Sequence, residues 1–154
     1  MEQIYKIDKL DKEILSILMK DAKVPYTEIA QRLIVSAGTI HVRMKRMEKL
    51  GIVKGATLVL DQAKMGYDLM AFIGIYLVKG SAYNEVIAEI DKIPEVVEAH
   101  YTTGEYSIFA KIISRNTGHL REVINDKIQP INGIMRTETI ISLSESIRKQ
   151  IPVL

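Results

Sequence analysis

Two stretches of the sequence collect side chains that could do chemistry. Between Ser36 and Lys54 the cations Arg43, Lys45, Arg46, Lys49 and Lys54 are opposed only by Glu48, a cluster that either neutralises phosphates or forms a solvated face. Between Tyr101 and Ser107 the run Tyr101, Thr102, Thr103, Gly104, Glu105, Tyr106, Ser107 sets hydroxyls, a carboxylate and two rings about one glycine. Holding a small polar ligand takes hydrogen-bond donors, acceptors and a shaped wall. This run can supply them: Gly104 allows close backbone approach or a positive φ, the hydroxyls bond either way, and Tyr106 offers an apolar ring with a polar tip. Thr-Gly-Glu between two strands is equally an ordinary hairpin turn. Residue types alone leave both readings open.

Other chemistries find no support. The chain has no Cys, which excludes disulfides, thiolate zinc sites and Cys nucleophiles. His41, His100 and His119 are too scattered for a metal motif, and Glu95 and Glu98 read as a solvated approach to a strand rather than a catalytic carboxylate pair. There is no Gly-rich phosphate loop after a strand and no nucleophile elbow. We therefore expect no enzyme, no metal and no cofactor.

The cationic stretch belongs to a set of three helices. Ile7, Leu10, Ile14, Leu15, Ile17 and Leu18 recur at helical spacing, with Asp8 and Asp11 at the start, where the helix dipole favours acids. Pro25 suits the first position of a second helix with the face Ile29, Ala30 and Leu33. After a tight turn at Ile34-Val35-Ser36, the Ser36 hydroxyl can cap a third helix that Gly51 ends. Ile40, Met44, Met47 and Leu50 share the buried sector of this helix, and Gly38, His41, Val42, Lys45 and Lys49 lie opposite. A short helix pair joined by a tight turn is the helix-turn-helix pattern, and the face opposite the core should meet DNA. Arg46 at its margin can reach phosphate, and Ser36 and Thr39 stand at the end that enters the major groove. Val42 fits contact with a thymine methyl group or plain exposure. Arg43 lies near the buried sector and reads either as an internal ion pair or as a phosphate clamp.

Beyond this domain, the β-branched segment Ile52 to Leu60 reads as a strand leading away from the third helix, and residues 61–68 as a linker. The pattern then runs strand (Leu69 to Val78), helix (Ala82 to Lys92), strand (Val96 to Thr102), strand (Tyr106 to Ser114), helix (Thr117 to Ile128), strand (Ile134 to Leu143). This βαββαβ order is the ferredoxin-like arrangement. The expected class is α+β, with a winged-helix-like helix-turn-helix domain over 1–60 and a ferredoxin-like domain over 69–154. Thr137 and Thr139 share one face of the last strand and could complete a polar lining.

Bulk properties agree. With 47% apolar residues in a chain of 154, two small cores are affordable. Residues 1–60 hold 11 Lys or Arg against 7 Asp or Glu, and residues 61–154 hold 10 against 12, so the positive excess sits in the helical half. The longest apolar run, Leu69 to Val78, is about half the ~20 residues of a membrane helix, and no secretory leader is visible. A cytoplasmic protein without a membrane partner is expected.

Four segments carry a family resemblance: Ser36-Ala-Gly-Thr-Ile-His-Val-Arg43, Phe72-Ile-Gly-Ile75, Tyr101-Thr-Thr-Gly-Glu-Tyr-Ser-Ile-Phe109 and Thr137-Glu-Thr139. In matching order from about Ile7 to Leu143, the chain resembles the Lrp/AsnC family of feast/famine transcription regulators, and within it the asparagine-responsive branch. The resemblance implies a DNA-binding domain joined to a ferredoxin-like domain that dimerises through its sheet, with dimers assembling into octamers and an amino-acid effector near subunit contacts. It adds Gln129 to the candidate pocket. Many leucine-responsive relatives carry an acidic residue where this chain has Ser107, which puts asparagine first, ahead of leucine, methionine or lysine. The implied DNA partner is a pseudo-palindromic double-stranded operator. An architectural DNA-binding protein that senses nothing is the alternative.

Overall fold

The computed structural model describes residues 6–153; Met1–Tyr5 and Leu154, the outer ends of the two expected domains, lie outside the described residues. The chain divides into two compact units. One holds the described residues up to Val59 together with those from Arg148 on, and the other is Leu60–Ile147.

The first unit is built on α1 (Lys9–Leu18), α2 (Tyr26–Leu33) and α3 (Ala37–Lys49). Asp8 and Asp11 form a capping box on α1, each carboxylate accepting from the other's backbone N–H at 2.9 and 3.2 Å, so two donors of the first turn are satisfied. Ser36 caps α3 by accepting from the Thr39 N–H at 3.1 Å. Pro25 sits one place earlier than expected, as the cap of α2 rather than its first residue. The three helices bury Ile14, Leu15, Ile29, Ala30, Ile40, Met44 and Met47 in one core.

The segment Ile52 to Leu60, expected as a strand, is not one: among the described residues no strand precedes Leu69. Its β-branched residues favour extended backbone, but a strand also needs a partner, and this chain offers none there. Leu58, Val59 and Leu60 are exposed. The far end departs from expectation too. The residues from Arg148 on belong with the helical unit, because Val153 packs against the helical core instead of the sheet.

The second unit is α+β. Strands β1 (Leu69–Leu77), β2 (Val96–Tyr101), β3 (Ile108–Ser114) and β4 (Ile134–Ile141) form an antiparallel sheet in the order β2-β3-β1-β4. Helices α4 (Tyr83–Ile90) and α5 (Thr117–Glu122) cross between strands, giving the expected ferredoxin-like topology. Alternation along β1 sends Ala71, Ile73, Ile75 and Leu77 toward the helices, where they meet Ile108, Ala110 and Ile112 of β3 and Val86, Ile90 and Leu120. Both helices pack on this one face, and no helix of the described residues is long and apolar enough to cross a membrane.

Two details position the candidate site. Strand β3 begins at Ile108, so Tyr106 and Ser107, expected within it, belong to the connection from β2. Past Glu122 the helix widens into π turns over Val123–Ile128, and the Gln129 N–H reaches back to the Ile124 carbonyl at 2.8 Å.

The turn between α2 and α3 carries a strained residue. Ile34 sits at φ 56°, ψ 49°, a left-handed cap usually given to glycine or asparagine, and is 93% exposed. Ile34→Asn should raise the unfolding free energy in urea by about 1 kcal/mol, since it relieves the Cβ strain and gives up little packing. A loss of stability would show that the Ile34 side chain contributes more than its exposure suggests.

Candidate functional site

Helix α3 has two faces. Ile40, Met44 and Met47 are buried, and Ser36, Gly38, His41, Val42, Lys45, Arg46 and Lys49 are exposed on the remaining surface. Among the described residues, Lys45, Arg46 and Lys49 have no acidic partner within ion-pair distance. They are therefore free to meet an external anion. His41 lies with its ring centroid 6.1 Å from that of Tyr26 at the start of α2. Thr39 is half-buried, and its hydroxyl lies 2.9 Å from that of Ser36, so these two hydroxyls are already engaged at the helix start.

Arg43 is different, because it makes the internal ion pair. Its Nη1 donates to Asp8 Oδ2 at 2.5 Å and to Asp11 Oδ1 at 2.8 Å. The Asp11 side chain is only 2% exposed, so its charge requires this compensation. The Arg43 hydrogen bond, followed by the Asp11 backbone N–H, holds the Asp8 carboxyl below its ordinary range. The same two carboxylates push Arg43 further into its charged form. Arg43 thus ties α3 to the first turn of α1.

In the second unit, the ten expected effector residues do not form one cluster. Sheet register places Tyr101 beside Ile108, Ile108 beside Ile75, and Ile75 beside Thr137. Tyr101 and Thr137 therefore stand at opposite edges of the sheet, about 14 Å apart across three strand spacings. At the β2 edge, the Thr102 hydroxyl donates to the Tyr106 carbonyl at 2.7 Å and the Thr102 N–H to the Ser107 carbonyl at 3.1 Å, closing the loop that contains Thr103, Gly104 and Glu105. Gly104 adopts φ 106°, the left-handed region that favours glycine. The Tyr101 ring lies 4.3 Å from Tyr83 of α4. At the other edge, Gln129 donates from Nε2 to the Thr137 hydroxyl at 3.2 Å, with Thr139 two positions along the same strand. An open recess of about 810 Å³, lined by Asn84, Glu85, Glu89, Lys127, Pro130 and Asn132, contains none of the expected effector residues.

Tyr106 leaves its loop and lies on the sheet face that carries no helix. Its ring rests directly on Gly74, where an added Cβ would stand 2.3 Å from a ring carbon. Its hydroxyl donates to Glu138 Oε2 at 3.0 Å, and Tyr76 donates to Glu138 Oε1 at 3.1 Å. Arg136 also bonds Glu138 and stacks 3.5 Å above the Tyr76 ring. Arg136, then Tyr106 and Tyr76, lower the Glu138 pKa, and the Glu138 hydrogen bond raises that of Tyr106.

Residues 7–54 match a family profile described as winged helix-turn-helix DNA-binding, and residues 70–151 match one described as Lrp/AsnC ligand binding domain. The chain is 46% identical over 148 residues to the regulatory protein AsnC of Haemophilus influenzae, covering 96% of this chain and 99% of that one. The chain belongs to the Lrp/AsnC family. Regulatory protein AsnC of Escherichia coli K12 is 44% identical over 147 residues, covering 96% of this chain and 97% of that one. The solved structure of E. coli AsnC superposes with a TM-score of 0.92 at 42% identity, covering 96% of this chain and 99% of that one. A Neisseria meningitidis regulator crystallised with L-Met shares the Lrp/AsnC fold, with a TM-score of 0.88 at 23% identity over 94% of each chain.

Several partners that organise these sites in this Lrp/AsnC chain were not singled out from sequence: Asp8 and Asp11 for Arg43, and Gly74, Tyr76, Arg136 and Glu138 for Tyr106. Gly74 carried a usable signal, because a glycine inside an apolar strand marks a close approach.

The two kinds of cation on α3 should behave oppositely when replaced. Lys45→Ala should leave stability within about 0.5 kcal/mol, weaken DNA binding and reduce the salt slope by about one. Arg43→Ala should lower the urea unfolding free energy by about 1–3 kcal/mol, because a buried Asp11 oxygen loses its donor. Because the folded pKa of Asp8 is depressed, its contribution is present above the ordinary carboxylate range and lost as pH falls through the folded value. Asp8→Asn should flatten that acid limb of the stability curve; an unchanged limb would remove the ion pair from the account of α3.

Proposed function

We propose that the chain is a transcription regulator that binds a pseudo-palindromic DNA operator through the exposed face of α3 and responds to an amino acid, asparagine first. The observation that carries the DNA half is a helix with one face buried and the other bearing Lys45, Arg46 and Lys49 without acidic partners. Ser36, Gly38, Thr39, His41 and Val42 are the candidates for groove and base-edge contact, with the cations on phosphate. Arg43 acts through the helix it anchors.

Membership of a family with a ligand-binding domain and the polar loop Tyr101–Ser107 support the effector half. Tyr101 at the β2 edge stands farther from Thr137 at the β4 edge than one amino acid spans, while Tyr106 and Ser107 reach inward to β1. Each edge supplies part of a zwitterion site, so we take the site to be completed by a second subunit, the loop of one facing the Gln129 edge of another. A homodimer with octameric assembly, located in the cytoplasm and working by binding rather than catalysis, follows from this reading.

Isothermal titration of the full chain with asparagine should show saturable heat, and Gly104→Val should weaken binding by about tenfold or more. Val at φ 106° forces the loop to another conformation. Unaltered affinity in that variant would take the loop out of the site. Heat from leucine, methionine or lysine but not asparagine would reassign the effector. In footprinting, protection should fall on inverted half-sites a helical turn apart; uniform protection without sequence preference would favour an architectural role.

A further inference from the structure

Tyr106 is both part of the candidate effector loop and the cover over part of the sheet's helix-free face. Its ring is confined from below by Gly74, from the sides by Tyr76 at 5.2 Å and Phe109 at 5.9 Å between centroids, and at its tip by Glu138. The Phe109 ring is itself stacked on Phe72 at 5.6 Å. The loop's backbone is fastened nearby, with the Ser107 N–H donating to the Ile75 carbonyl at 3.0 Å, one residue from Gly74. Glu138 joins this face to the Gln129 edge, since it lies between Thr137 and Thr139 on β4.

We propose that Gly74 is a positioning residue for the effector loop: it is the seat of the Tyr106 ring, and through that seat loop conformation and the surface of the sheet's helix-free face are one equilibrium. This rests on the effector reading given above. The physical argument is steric. No side chain larger than hydrogen fits at position 74 while the ring is seated, because the blocking atoms are ring carbons fixed between two other aromatic rings and a hydrogen-bonded tip. A substituent at Gly74 has to lift the ring, and lifting the ring moves residues 102–107 and uncovers the aromatic surface of Tyr76 and Phe109. Conversely, a ligand that holds the loop in its seated form stabilises the covered face, and one that draws Tyr106 away uncovers it.

A double-substitution cycle separates this from a generic role of glycine in the strand. Asparagine titration and amide hydrogen exchange of residues 102–107 would be measured on the full-length protein and on Gly74→Ala, Tyr106→Ala and the double variant. Gly74→Ala should weaken asparagine binding by about tenfold or more and speed loop exchange, as coupling of ordinary size would require. In the Tyr106→Ala background the same change should be silent or protective, because there is no ring to displace and alanine suits a strand better than glycine. Additive effects, or an unaltered loop in Gly74→Ala, would overturn the proposal. Should the unaltered protein bind none of asparagine, leucine, methionine or lysine, the effector reading itself falls. The exchange cycle, which needs no ligand, would still decide whether Gly74 seats the loop.

Discussion

A four-stranded sheet whose two helices pack on the same side has to find cover for its other side, and much of the second unit follows from how this chain does it. The helix side is conventional, filled by Ile73, Ile75, Ile108, Ile112 and their helical partners. The other side presents Phe72, Tyr76 and Phe109, with Tyr106 folded over Gly74 and pinned to Glu138. Aromatic residues with polar tips suit a surface that is covered in one state and wet in another. Covering the face from the β2–β3 connection means that the loop with the most polar groups is also the one that shapes that surface. That surface lies within the part of the chain that matches a domain described as ligand-binding.

The helical unit solves a comparable problem with charge. Its core of short helices is small, and α3 must hold a fixed pose while exposing cations. Arg43 achieves this by bonding both members of the α1 capping box, so one guanidinium compensates the buried Asp11 and joins helices that are far apart in sequence. With Arg43 engaged inside the unit, Lys45, Arg46 and Lys49 are the α3 cations left without an acidic partner among the described residues.

How much of this was legible in the sequence depended on whether the information was local. Periodicity located the helices and strands to within a few residues, and the Ser36 cap was readable because capping spans three positions. Ile52 to Leu60 was misread because β-propensity describes a residue's preference and not the existence of a neighbouring strand. Arg43 left two readings open, since its partners lie 32 and 35 positions away. The candidate effector residues were gathered as a set partly by family resemblance, but the separation of Tyr101 from Thr137 across the sheet emerges only from the strand order and register. Likewise the turn of Tyr106 onto the helix-free face and the return of Val153 to the helical core depend on tertiary packing that no spacing encodes.

The central claim is that one chain couples amino-acid binding in the sheet unit to DNA binding through α3. The most direct measurement is the affinity of the full chain for its operator, selected from a random DNA pool, by fluorescence anisotropy at fixed salt with and without saturating asparagine. Coupling of ordinary strength would shift the dissociation constant by about 5- to 150-fold, and saturating DNA would change asparagine affinity by the same factor. Superimposable binding curves, under conditions where asparagine is shown to be bound, would contradict it.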